Sequence, residues 1–292
     1  MKIKKWLDNN TFDLTGKTIA ITGSTGEIAS FLVENLAKLN ANFIFINRDK
    51  DKTYKQINNL KSINPKINID FVWCDLSNFD SVKDAAEILK KKKFNILYLA
   101  AGAYNIKRFK TDAGFDNVFQ INFLSQYYLA KELATNIKNL NGKIIAVSSI
   151  AHSYSKIDAN DIDFSTRKKH SKVYGNAKRF LTFALQEMAE ATQINLAIAH
   201  PGVTLTEMTN HYPKAINWLV KWCIKCFFPK KEMSALSLIK AIFETTSHHQ
   251  WIGPKIFNVW GQPQKSNLKT CSIEESKNIY NIAETIYNQL KK

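Results

Sequence analysis

The 292-residue chain has no run of about 18 uncharged apolar residues, so no transmembrane helix is implied. Basic residues open it, but Trp6-Leu7-Asp8-Asn9-Asn10 puts no apolar core behind them, so a secretory leader is not expected. It also has no internal repeat and no Pro/Gly/Ser-rich linker. A single domain over 1–292 is therefore expected, and a chain 45% hydrophobic can bury a large core. Cysteine is scarce: Cys74, Cys223, Cys226 and Cys271 read as free thiols in a reducing compartment, which implies a cytoplasmic location. Cys223-Ile224-Lys225-Cys226 spells C-x-x-C, yet no second pair or His-x-x-His accompanies it and it lies in an apolar helical stretch. No metal or redox role is expected of it.

Acidic residues are also few. Lys+Arg 41 against Asp+Glu 25 gives a formal net charge of +16, a surface that attracts polyphosphates, nucleic acid or anionic lipid. The lysines are scattered, clustering only at 90–93, 167–169 and 230–231, and no nucleic-acid-binding motif is visible. A solvated basic surface is the favoured reading, with no nucleic-acid partner.

What is present is an alternation of strand and helix. Apolar strands read at Thr18–Ile21, Phe43–Ile46, Ile69–Trp73, Ile96–Leu99, Ile144–Val147 and Leu196–Ala199, with helical segments such as Ile28–Leu39 and Phe115–Leu140 between them. Near-continuous apolar strands separated by helices predict an α/β fold with a doubly wound parallel sheet of Rossmann type.

In such a sheet, ligands bind at the carboxyl ends of the strands. After the first strand comes Gly23-Ser24-Thr25-Gly26-Glu27-Ile28, whose small residues let backbone amides approach a pyrophosphate. After the second comes Asn47-Arg48, with no carboxylate for a ribose 2′-hydroxyl and an arginine for a 2′-phosphate. Asp75-Leu76 follows the third, and the Asp75 carboxylate suits an adenine amino group. Tyr174 and Lys178 stand one helical turn apart, so both leave the same face of a helix. A cation there favours the phenolate and brings a group that titrates near ~10 towards neutral pH.

These segments together resemble the short-chain dehydrogenase/reductase family, and within it the retinol-dehydrogenase-like branch, over roughly Leu14 to Leu290. The resemblance implies a catalytic set: Asn122 in Phe119-Gln120-Ile121-Asn122, Ser149 in Val147-Ser148-Ser149-Ile150, then Tyr174 and Lys178. Ser149 is the better serine candidate and Ser148 its neighbour. In that family the tyrosine passes the proton, the serine polarises the oxygen, the lysine bonds the nicotinamide ribose and the asparagine anchors a relay water. Further implied cofactor contacts are Ala100, Ala101 and Gly102, then Pro201, Gly202, Val203 and Thr206. Two departures stand out: Glu27 and Ala29 replace family glycines, and Leu99-Ala100-Ala101-Gly102 replaces Asn-Asn-Ala-Gly, which predicts a loss of polar anchoring in the central sheet.

The expectation is an NADP(H)-dependent oxidoreductase, NAD being the weaker fit, that interconverts an alcohol and a carbonyl on a lipophilic molecule. The alternative is a non-catalytic dinucleotide sensor or scaffold. Residues 1–13 read as an N-terminal extension, 204–232 as a substrate lid and 272–291 as a closing helix. Within the lid, Trp218 and Trp222 beside Lys221 and Lys225 suit peripheral membrane contact as well as a greasy substrate. A homo-oligomer is compatible with all of this.

Overall fold

The computed structural model describes residues 3–202 and 231–291. One eight-stranded sheet runs in the order β3-β2-β1-β4-β5-β6-β7-β8. Its strands are β1 Thr18–Thr22, β2 Asn42–Asn47, β3 Ile69–Trp73, β4 Ile96–Leu99, β5 Lys143–Val147, β6 Asn195–Ala199, β7 Gln250–Ile256 and β8 Trp260–Asn267. The first seven are parallel, as the unbroken apolar runs predict; β8 alone is antiparallel. The chain steps outward from β1 to β3 and returns on the other side of β1 at β4. The crevice where strand order reverses therefore opens between the ends of β1 and β4.

Helices cover both faces. On one lie α1 (Ile3–Asn10), α2 (Glu27–Lys38), α3 (Lys50–Ile63) and α7 (Lys231–Phe243), packed through Trp6, Leu32, Leu36, Leu60 and Ile239. On the other lie α4 (Phe79–Lys90), α5 (Ser125–Asn139), α6 (His170–Thr192) and α8 (Ile273–Lys291), packed through Val82, Leu133, Phe180, Met188 and Ile279. Asp49 and Asn78 accept first-turn amides and so start α3 and α4 where the sequence turns from strand to helix. The doubly wound parallel architecture is as expected. The segment Trp260–Asn267 forms strand β8 and closes a hairpin with β7.

The long helix anticipated over Phe115–Leu140 is broken in register. After a turn at Asn117–Phe119, Gln120–Leu124 winds as a π-helix before α5 resumes. A π turn disturbs the i→i−4 ladder, and side chains take up the difference. Asn122 Nδ2 donates to Val118 O at 2.8 Å, and Gln126 Nε2 to Ile121 O at 3.1 Å.

Of the anticipated 204–232 lid, residues 204–230 with Thr206, the C-x-x-C pair and the Trp/Lys face lie outside the described residues, as does Val203, and its last two residues open α7. Among the described residues, no helix is long and apolar enough to cross a membrane. Cys74 and Cys271 are free and buried, and burial pushes both thiols up to about 12.

The closing helix is tied to α6 by a buried cation. Arg179, 1% exposed, donates from Nε and Nη2 to the Glu275 carboxylate at 2.9 and 2.7 Å. Its remaining donors reach His152 O at 3.1 Å and Thr270 O at 2.7 Å. Removing one partner of a buried pair strands the other's charge. Arg179→Met is expected to lower unfolding stability by about 3 kcal/mol, measured by urea denaturation; a loss below about 1 kcal/mol would show that water replaces these bonds.

Candidate active site

Four loops converge at the carboxyl ends of β1, β4, β5 and β6, where parallel strands present their termini side by side. The turn after β1 is pressed against the end of β4. Gly23 has φ +68°, and a Cβ there would lie 2.7 Å from Ala101 Cα, so only glycine admits the contact. Gly26 begins α2 in an extended conformation with no side-chain cap, leaving first-turn amides to meet an anion. Ser24 is fully buried: its amide donates to Asn47 Oδ1 at 3.1 Å, and its hydroxyl bonds Gln56 at 2.6 Å. Asn47 donates to Ser24 Oγ at 2.8 Å and Thr53 Oγ1 at 3.0 Å. Its amide thus fixes the shape of the turn from below.

Glu27 is the first residue of α2, where a carboxylate complements the helix dipole, and its Oε2 is out of solvent. Arg48 is exposed at the end of β2. Asp75, half-buried, accepts from the Ser77 amide and hydroxyl at 2.9 and 2.8 Å through Oδ1. Leu76 is buried, and its carbonyl takes the Ser125 hydroxyl at 2.7 Å. Ile28, Pro201 and Gly202 are half-buried, Gly202 at φ +83°.

The anticipated loss of anchoring at Leu99-Ala100-Ala101-Gly102 does not occur. Thr22 Oγ1 accepts the amides of Ala100 and Ala101 at 3.0 and 3.1 Å, and Gln126 Nε2 donates to Ala101 O at 2.9 Å. Sequence reasoning passed over both anchoring residues. Gln126 is committed by the π turn, whose signal is structural and not compositional.

Beyond β5 the two serines part. Ser148, 1% exposed, turns inward to Thr182 Oγ1 at 2.6 Å. Ser149 Oγ accepts from the Ala151 amide at 3.2 Å, and its side chain is close enough to Tyr174 to favour the phenolate. Its backbone is held by His152: a carbonyl only accepts, so Nδ1 carries the proton and donates to Ser149 O at 2.6 Å. Nε2 then accepts from Thr270 Oγ1 at 2.8 Å, and burial lowers the imidazole to about 4, keeping it neutral. Gly175 follows Tyr174 because α6 crosses this loop closely. A Cβ there would sit 2.4 Å from Ala151 O.

Lys178 stands one turn below Tyr174, its Nζ 5.8 Å from the ring centroid and donating to Val147 O at 2.8 Å. A Cβ on Gly102 would lie 3.0 Å from Asn122 Oδ1 and 3.6 Å from Lys178 Nζ, so both polar groups face that exposed glycine. Asn122 is fixed by donating to Ala103 O at 2.8 Å and accepting from Ala103 N at 3.1 Å. The structure thus brings together all four residues anticipated as catalytic. Their electrostatics differ from expectation. Burial pushes the Tyr174 phenol up to about 12, and the nearby Ser149 side chain only partly offsets it. Lys178 is itself lowered to about 7 by burial. With its amine neutral for much of the time near pH 7, it is a weak source of positive field at the phenol. Tyr104 meets the Tyr174 ring edge-on at 5.2 Å, and Ile106, Val118, Phe164 and Val173 pack behind it, making an aromatic and aliphatic wall.

A crevice at the switch point, an uncapped helix N-terminus beside it and a clustered Ser149, Tyr174 and Lys178 thus share one edge of the sheet. The short chain dehydrogenase family profile matches residues 17–217. The chain belongs to that family, on its retinol-dehydrogenase-like branch. It is 27% identical to human retinol dehydrogenase 13 over 205 residues, 68% of this chain and 62% of that protein. It is 24% identical to human polyprenol dehydrogenase over 219 residues, 68% of this chain and 66% of that protein. The matches thus span slightly under two thirds of these relatives' own lengths. Among solved structures, a Pseudomonas aeruginosa RhlG/NADP active-site complex superposes with a TM-score of 0.60 at 20% identity, covering 79% of this chain and 91% of that one.

Lys178 generates a test of the site's electrostatics. Its value in the fold lies below the ~10.4 of a free lysine, so between about pH 7 and ~10 the unfolded chain binds the extra proton. Stability then rises with pH across that window. Relative to Lys178→Met, the parent is expected to gain about 1.4 kcal/mol per pH unit in urea denaturation; a pH-independent difference would place the ammonium in contact with water.

Proposed function

We propose that the chain is an NADP(H)-dependent oxidoreductase interconverting an alcohol and a carbonyl on a lipophilic small molecule. The convergence of Ser149, Tyr174, Lys178 and Asn122 beside Gly102 carries the reading. The residues fit a dinucleotide. The Gly23–Ile28 turn and uncapped α2 amides would take the pyrophosphate, Arg48 a 2′-phosphate, and Asp75-Leu76 the adenine. Ala100, Ala101 and Gly102, with Pro201-Gly202, would flank the riboses and nicotinamide. Val203 and Thr206 belong to the same expectation. When bound, the nicotinamide supplies or takes up the hydride.

The protein's own part is to manage charge on the substrate oxygen. Carbonyl reduction builds an oxyanion, which needs a donor in place as it forms. Tyr174 remains protonated at neutral pH, so its O–H is ready to give that proton while Ser149 donates a second hydrogen bond. In the reverse direction the phenol must first lose its proton, which burial opposes. Lys178, titrating near 7, is suited to restore the proton to Tyr174, and Asn122 would hold a relay water beside it. Support for a lipophilic substrate comes from the Tyr104/Ile106/Phe164 wall and from relatives named for retinol and polyprenol.

Tyr174→Phe is expected to cut turnover at least ~10²-fold while leaving NADPH affinity within a few-fold. Assays with NADPH and a panel of aldehydes, ketones and quinones read this out. Ser149→Ala should behave likewise and Ser148→Ala should not. Retention of more than about a tenth of the activity in Tyr174→Phe would remove the proton-donor role.

Calorimetry tests the cofactor. NADPH should bind more tightly than NADH, and Arg48→Ala should weaken NADPH about tenfold or more while leaving NADH unchanged, as loss of a charge-assisted bond to phosphate requires. Equal affinities for both dinucleotides in the parent would sink the preference.

A further inference from the structure

At the opposite edge of the sheet, away from Ser149 and Tyr174, three donor groups from distant parts of the chain meet. Glu187 lies late in α6 and is buried, while His248 and His249 stand just before β7 begins. One donor atom from each lies within 4.8 Å of the other two. His248 Nε2 is 2.8 Å from Glu187 Oε1, and the two imidazoles face one another with ring centroids 4.4 Å apart. His249 Nε2 is out of solvent and has no hydrogen-bond partner among the described residues. A buried ring nitrogen left unpaired is costly and calls for an electrophile. His248 also borders a cavity of about 190 Å³ lined by Gln186, Glu190, Asn195 and Thr246, through which water reaches that side of the cluster, although Glu187 and His249 do not line it.

We propose that Glu187, His248 and His249 form a divalent transition-metal site of the zinc type, with water completing the shell. The donor set selects the ion. Two imidazoles and one carboxylate suit zinc or its first-row neighbours, whereas magnesium and calcium take oxygen ligands. Three protein ligands with an open fourth position are a known zinc arrangement. Donors around a tetrahedral zinc stand about 3.3 Å apart, given Zn–N bonds of ~2.0–2.1 Å. The Glu187–His248 pair is already that close, so the third nitrogen has only to swing in. Glu187 and His248 are 61 residues apart in sequence, which hides the cluster from any spacing motif and explains why no metal is expected from the sequence.

The site would act structurally. Gln186, beside Glu187, already donates to Gln250 O at 2.9 Å, and His249 packs on Phe183 of the same helix. An ion would add a covalent-strength clamp between α6 and the start of β7. Trp251, next along that strand, packs against both His152 and His200.

The test uses the full chain carrying Cys223→Ser and Cys226→Ser, so that thiols cannot supply a site, after dialysis against chelator. Zinc titrated by calorimetry is expected to bind one-to-one at micromolar or tighter affinity and to raise the melting temperature. Cobalt should give a spectrum of nitrogen and oxygen ligation. Glu187→Gln and His249→Ala should each weaken zinc at least tenfold, while His170→Ala, outside the cluster, should not. His248→Gln, at a more exposed ring, repeats the test should His249→Ala fail to fold. Absence of saturable zinc binding, or binding undiminished by Glu187→Gln and His248→Gln, overturns the proposal, the latter marking an adventitious ion only.

Discussion

The site depends on keeping the amino group of Lys178 out of water. An ammonium there loses its hydration and has one strong acceptor in return, the Val147 carbonyl at the end of β5. Its proton is therefore held loosely, and a lysine becomes a group that titrates near 7. Everything that surrounds it is rigid: α6 behind, the Gly102 backbone in front, and an asparagine fixed by a π turn at the side. The same dryness raises Tyr174. Exclusion of solvent thus moves the two groups in opposite directions, the phenol up and the ammonium down.

Much of this arrangement is visible from residue order. The apolar runs identify the parallel strands because a strand buried on both faces has no polar alternation. The residues that follow those strands are the site residues, since the carboxyl ends of a parallel sheet share one edge. The Tyr-x-x-x-Lys spacing places both groups on one face of α6. Strand β8 was hidden because Trp260–Asn267 shows no apolar alternation, with Pro263 its one buried residue and its tryptophan exposed at the start.

What stayed illegible depends on side-chain pairing over long sequence distances. The residues Val147-Ser148-Ser149 favour Ser149 only through the family resemblance; the physical reason, Thr182 drawing Ser148 inward, lies 34 residues away. Thr22 and Gln126 replace an asparagine pair at the end of β4 only because a shifted helical register brings Gln126 to Ala101. The tyrosine's raised value follows from how deeply α6 is packed, which a motif does not encode.

The bond between Arg179 and Glu275 also bears on the order of events during synthesis. Helix α6 and the Ser149 loop are complete in sequence by residue 192, yet their buried cation waits for a carboxylate and a carbonyl that lie some eighty residues further along. Until the segment carrying Thr270 and Glu275 has been made and has docked, the guanidinium beneath the Ser149 loop lacks its carboxylate. The sheet from β1 to β6 can form as it emerges, whereas the edge around that loop sets only when this later segment arrives.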